Sequence, residues 1–429
     1  MTDHQLFLFL AEVTVLVVGA RVGGELAVRL GIAQVVGELA VGICLGPSLF
    51  GKVWPGGFRA LFPPDALQRG FLDILSWVGV IFLVLLAGFE TRLGIVRKAG
   101  RAVISGWVGG FVLPFAMGFG LGLLVPTRLI GAGISRPVFA LFLGTAMSIS
   151  AIPVIARILM DLDLFKTKIG MVTISSALAD DTAGWIVLAL VSGLALEHQV
   201  KATTVAVALV GTVVFLLVAF TLGQWGVRKA LAASRSLRAP YAQATVVLAI
   251  VFIGGAMTQA IHVHLVLGTF VAGILIARTS WRVRDRETIE SIRRVGMAFF
   301  IPIFFGYTGI KVDLTTLTGS TLLIAAAAFL VACTGKLVGG SLGAWFGGLS
   351  KWEALAVGAG RNARGAMELV IAAIGLSIGI LTLPMYTIIV LIAVLTSFMA
   401  APLVRYFVRR ASPNEVGLAP MLSEEVLVK

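Results

Sequence analysis

The sequence predicts an all-α polytopic membrane protein, and three observations carry that prediction. Hydrophobic residues make up 59% of 429 and the mean hydropathy is +1.02. Charged residues are only 13%, against roughly 25% in soluble domains. Apolar runs of about 18 residues or more recur from end to end, the length a helix needs to cross a hydrocarbon core. A membrane β-barrel would instead show roughly ten-residue segments of alternating polarity, and none is present.

About 13 spans are expected, near 5–22, 32–50, 71–89, 102–125, 137–159, 169–193, 203–222, 241–259, 262–278, 295–310, 318–346, 353–377 and 384–408. Charged or Pro/Gly-rich turns separate them. The start, MTDHQLFLFL, lacks a basic leader and runs straight into the first span. Residues 411–429 read as a short cytoplasmic tail. No appended regulatory domain is expected, because no strand–GxGxxG–helix unit follows the last span. The glycines of Gly118–Gly122 lie inside an apolar helix and are expected to serve packing. Cys44 and Cys333 lie in apolar runs without metal-ligand spacing and are expected to be buried, reduced thiols.

The net charge of +13 does not point to nucleic acid, because the basic residues fall in short loops between spans. With the N-terminus outside, cytoplasmic loops hold 23 Lys and Arg and outer loops hold 7. That asymmetry predicts N-out and C-in in the plasma (inner) membrane. Lys336, Arg361 and Arg364 are left within spans.

The chain also repeats itself. GELAVGI at Gly37–Ile43 resembles GTFVAGI at Gly268–Ile274, and AGFETRL at Ala87–Leu93 resembles TGIKVDL at Thr308–Leu314. Both matches map one span onto the seventh after it. Seven is odd, so the copies cross the membrane in opposite senses, the mark of an inverted-repeat transporter. The repeats are expected over about 5–193 and 241–408, with a linker helix at about 203–222.

Such transporters bind ions at the midplane beside helices that break halfway. The fifth span, GTAMSISAIPVIARIL, breaks at Pro153 and carries Thr145, Ser148 and Ser150, whose oxygens suit a hard cation. The competing reading is a Pro-kinked helix whose hydroxyls bond back to its own carbonyls. The twelfth span, GAGRNARGAMELVIAAIGL, holds Arg361, Asn362, Arg364 and Glu368 and is expected to serve an ion path or gate, with Arg364 and Glu368 paired four residues apart. Snorkelling of these charges to the interface is the alternative.

The sixth span holds Asp180 and Asp181 side by side in ALADDTAGW. Each carboxylate at mid-bilayer costs roughly 2.5–3.5 kcal/mol. Lys336, in FLVACTGKLVGG, is unpaired by sequence alone and is expected to pair with Asp180, with Asp181 the main cation ligand. A buried structural ion triad is the bland reading. A site poised in this way holds either protons or a metal cation, and the two carboxylates titrate as a unit. If Lys336 also releases its proton, two protons move per monovalent cation and exchange is electrogenic. Weaker candidates are Glu12 and Glu38, near helix ends or an interface, and His262 and His264 in an outer loop as pH sensors, with His4 and His198 also near the surface.

The segments QVVGELAVGICLGPSLFG, LLAGFETRL, LGTAMSISAIPVIARIL, ALADDTAGW and GRNARGAMELVI together resemble the monovalent cation:proton antiporter-2 family, over about residues 5–408. The resemblance implies the sodium/hydrogen exchanger fold, thirteen helices with two broken and crossing, and a homodimer embedded in membrane lipid. It implies Asp181 as the essential carboxylate, Asp180 as its partner, and Lys336 as the lysine of electrogenic sodium/proton members. Thr145, Ser148 and Ser150 would line the crossing. Glutathione-gated potassium members carry Gln-Asp, whereas this chain has Asp-Asp, which favours Na+ over K+. No cofactor is expected, and the cation and protons are cargo. The alternatives are a K+/H+ antiporter of the same fold and a cation-coupled organic-solute transporter with a roomier cavity. An intramembrane aspartyl protease fits poorly, because its two aspartates face each other from different helices. No enzyme activity is expected.

Overall fold

The computed structural model describes residues 2–91, 100–165, 167–196, 202–237, 239–261, 263–279 and 283–411. The expected tail beyond Ala411, His198, His262 and the loop cations Arg92, Arg97, Lys98, Lys166, Lys201, Arg238 and Arg282 lie outside the described residues.

Among the described residues every regular element is helical. The main helices are α1 (Asp3–Arg29), α2 (Gln34–Leu45), α3 (Ala66–Glu90), α4 (Arg101–Leu124), α5 (Arg136–Ser148), α6 (Ile152–Asp161) and α7 (Lys168–Leu196). They continue with α8 (Ala202–Val218), α9 (Gln224–Ser236), α10 (Ala242–Ala260), α11 (Leu265–Thr279), α12 (Val283–Val295) and α13 (Ile301–Ile310). The last are α14 (Ser320–Phe346), α15 (Lys351–Arg361), α16 (Ala366–Ser377) and α17 (Leu383–Val408). Five-residue π turns join α8 to α9 and α12 to α13.

Ten of these segments are long and apolar enough to cross a membrane. The expected count of 13 is therefore not reached by length and composition. The physical reason is local. Two of the other expected spans are each split into two half-helices, α5/α6 and α15/α16, and α11 has only 15 residues.

The chain divides into two compact units. The first comprises Met1–Leu30, Gly37–Arg92 and Trp185–Asp313. Thr2 starts α1 with a capping box to Gln5, which satisfies two otherwise orphaned backbone donors. Inside this unit the same glycine contact occurs twice. A Cβ on Gly42 would lie 2.8 Å from the Gly309 Cα, and one on Gly88 would lie 2.9 Å from the Gly273 Cα. These four glycines are the ones aligned in the two sequence matches, Gly42 with Gly273 and Gly88 with Gly309. Lys311 pairs with Asp73 at 2.7 Å and Arg293 with Glu90 at 2.8 Å, at opposite ends of α3. Asp73 and Glu90 are 17 residues apart on this helix, roughly 26 Å along its axis, close to the thickness of a hydrocarbon core.

The second unit comprises Gly31–Val36, Leu93–Gly184 and Leu314–Lys429. Its seam is α4 against α14, where Gly109 and Gly339 meet so closely that neither has room for a Cβ. Gly118 packs on Met147 and Gly122 on Ala140, so the glycine run in α4 serves packing as expected. Ile130 and Leu381 form an antiparallel bridge that ties the loop before α5 to the loop before α17.

The cysteines differ from expectation. Cys44 is exposed and Cys333 half-buried, both as free thiols. Burial statistics for cysteine come from proteins whose apolar faces point inward, whereas much of a membrane helix's apolar face is the protein surface.

Candidate functional site

The breaks are built from residues that cannot continue a helix in place. The segment after α5 is extended, with Ile149 at φ −83° and ψ 150°, and Pro153 falls in the first turn of α6, where its missing N–H costs nothing. The other break runs from Asn362 to Gly365, which is extended before α16. The two breaks touch through the backbone: the Ala151 N–H donates to the Ala363 carbonyl at 3.1 Å. The two broken spans therefore cross.

Asp180 reaches this crossing from α7 and is fully buried. Its Oδ2 accepts from Lys336 Nζ at 2.9 Å, as the sequence led one to expect. Arg361 Nη2 donates to both of its oxygens at 2.7 Å. The Ser150 hydroxyl lies 2.8 Å from Asp180 Oδ2 and 3.1 Å from the Arg361 carbonyl. One hydroxyl proton serves one of these acceptors at a time, while Ser150 Oγ accepts from Lys336 at 2.8 Å. Lys336 Nζ also donates to the Ser148 carbonyl, the last of α5. A cation there offsets the negative end of that half-helix.

Arg364 serves the same helix end. It donates to the carbonyls of Ala146 at 3.0 Å and Met147 at 2.6 Å, and to Glu368 Oε1 at 3.2 Å. Arg361, Arg364 and Glu368 are at most 1% exposed, so they do not snorkel to an interface. Asp181 is 2% exposed and sits roughly 100° around α7 from Asp180.

The hydroxyls of Thr145 and Ser148 bond back to Leu141 O and Thr145 O, both at 2.8 Å. Their donors are thus spent on the helix, and of these three hydroxyls only that of Ser150 joins the ion cluster directly, Ser148 entering through its carbonyl. Asn362 Nδ2 lies 3.9 Å from Cys333 Sγ, and neither Asn362 Oδ1 nor Glu368 Oε2 accepts a hydrogen bond among the described residues. Among those residues no group of three or more His, Cys, Asp and Glu could hold a metal ion. An alkali ion carried as cargo would instead draw on carbonyl, hydroxyl and amide oxygens beside one carboxylate.

Sequence reasoning missed three things: the Arg361–Asp180 bond, the glycines Gly106 and Gly110 against which Arg361 lies, and the carbonyls held by Arg364. The signal for the first was arithmetic. The three cations left within spans, Lys336, Arg361 and Arg364, must find acids there.

The weaker candidates separate. Glu12 and Glu38 are buried, and Gln68 donates to Glu12 at 2.8 Å. His264 is buried at the start of α11, where its Nδ1 accepts from the Val266 N–H at 3.4 Å, and its ring lies 5.5 Å from that of Trp77. This imidazole therefore acts as a cap at the start of α11.

The family model described as "Sodium/hydrogen exchanger, transmembrane" matches residues 13–410. The chain belongs to this family. Among curated proteins it is 31% identical to the Na(+)/H(+) antiporter NhaS4 of Synechocystis, over 94% of this chain and 98% of that one. It is 30% identical to the K(+)/H(+) antiporter 1 of Saccharomyces cerevisiae, over 86% of this chain and 43% of that one. The chain spans about half the length of several curated relatives it matches. Among solved structures it shares the fold of the sodium proton antiporter MjNhaP1 of Methanocaldococcus jannaschii. That match has a TM-score of 0.60 at 15% identity and covers 95% of this chain and 99% of that one.

Proposed function

We propose that this member of the sodium/hydrogen exchanger family moves a monovalent cation, Na+ in preference to K+, against protons across the membrane. The observation that carries the reading is the buried Asp180–Lys336 pair, 2.9 Å apart, at the point where two broken helices cross. Asp180, Asp181 and Glu368 face Lys336, Arg361 and Arg364 in number, so with all six ionised the cluster is neutral. A metal cation that enters adds a charge which the low-dielectric surroundings oppose. Loss of a proton removes that opposition. Arrival of either species therefore expels the other.

In this reading Asp181 is the main cation ligand, Asp180 holds Lys336, and Ser150 supplies a hydroxyl oxygen. Asn362 and Glu368 offer buried acceptor oxygens beside the crossing. Release of the Lys336 proton as well as one from the acid pair gives two protons per cation and an electrogenic cycle. A voltage of 100 mV then contributes about 2.3 kcal/mol per net charge moved.

Potassium is the second reading, and the yeast relative's name favours it. A homodimer in the plasma membrane, N-terminus out and C-terminus in, completes the proposal. Everted vesicles with an imposed pH gradient test it. Na+, Li+ and K+ are added separately while a fluorescent amine reports the gradient. Dissipation is expected with Na+ and not in Asp181→Asn; a gradient that persists with all three ions contradicts exchange.

A further inference from the structure

Asp180 is gripped by two cations, and an exchange cycle in which Lys336 releases its proton explains why two are needed. The cations are seated differently. Lys336 is an ammonium on a flexible stem, and its proton can leave; a guanidinium stays charged in proteins. Arg361 is also wedged. Its Nη1 donates to the Gly106 carbonyl, and its guanidinium lies so close to Gly110 that a Cβ there would overlap it. Gly106 and Gly110 are about one turn apart on α4, so the Gly106 carbonyl accepts from the guanidinium while the bare Cα of Gly110 leaves it room. With both cations present, loss of the Lys336 charge leaves Asp180 still bound through two oxygens at 2.7 Å.

We propose that Arg361 is the fixed counter-ion of Asp180, with Gly106 and Gly110 as its seat, so that Lys336 can release its proton in each cycle without stranding a buried carboxylate. This rests on the exchange reading above. In the step itself one N–H bond of Lys336 breaks, the electron pair stays on Nζ, and the proton leaves to water as the metal cation's charge arrives. Protonation from the other side reverses it. Arg361 is thus a positioning residue and Gly110 sets its place. The charged groups around Lys336 are Asp180, Arg361, Arg364 and Glu368, with Asp181 following on α7. Helix α4, packed along α14, brings Gly110 and the Gly106 carbonyl to Arg361.

Two measurements test the proposal. The first is thermal unfolding of purified Lys336→Gln, Arg361→Gln and the double variant. Each single variant leaves one cation on Asp180, so each is expected to lose melting temperature moderately. The double variant should lose more than the sum of the two, and adding Asp180→Asn to it should recover much of the loss. Additive losses, or no recovery, overturn the proposal.

The second is the pH profile of exchange in proteoliposomes. Gly110→Ala keeps every charged residue but displaces the guanidinium. The pH midpoint is expected to move alkaline by about 1 unit, as in Arg361→Gln, because Asp180 then depends on the Lys336 charge alone. Gly120→Ala, on the same helix with open space beside it, should leave the midpoint in place. An unchanged midpoint in both Gly110→Ala and Arg361→Gln overturns the proposal. If the wild-type protein shows no exchange, the exchange reading fails, and the unfolding series decides the counter-ion role alone.

Discussion

Arg364 carries two jobs in the cluster. It satisfies the end of α5 through the Ala146 and Met147 carbonyls and balances Glu368. Arg364→Gln should destabilise the fold by about 3–5 kcal/mol, since it leaves a buried carboxylate without its partner. Arg364→Lys should recover little, because one ammonium cannot reproduce the fork that spans two carbonyls and a carboxylate. Thermal melting checks both. The Lys336–Asp180 pair was legible in the sequence because an isolated lysine in an apolar run must find an acid. Arg361 was harder to place, because it lies at the end of a half-helix whose break sequence alone does not position.

The elements tell a similar story. The long apolar helices could be read from hydropathy, but the short α11 and the half-helices fall below any length criterion, and their packing decides them. The break after α5 was announced by Pro153, whereas the break after α15 has no proline and rests on Gly365 and on the backbone bond to Ala151. The glycine pairs make the repeat testable. Gly42→Val and Gly273→Val place methyl groups against backbone at repeat-related positions. Each should cost about 1–3 kcal/mol or more, because backbone cannot retreat as a flexible side chain can. Comparable loss of folded protein on detergent size-exclusion is expected for the two. Gly70→Val, with open space beside the glycine, should be tolerated.

At the scale of the whole molecule, the charge asymmetry predicts sidedness. Lys52→Cys should be labelled by an impermeant maleimide from outside intact cells, and Arg286→Cys only after permeabilisation, in a background where exposed Cys44 is replaced. The central claim is competition between a cation and protons for one buried acid pair. It is tested most directly by titrating Na+ into purified protein in weak buffer and counting the protons released at several pH values. The account predicts release of at least one proton per bound cation, abolished in Asp181→Asn, with apparent affinity falling about tenfold for each proton displaced per unit drop in pH. Saturable Na+ binding that releases no protons and keeps the same affinity across pH would contradict it.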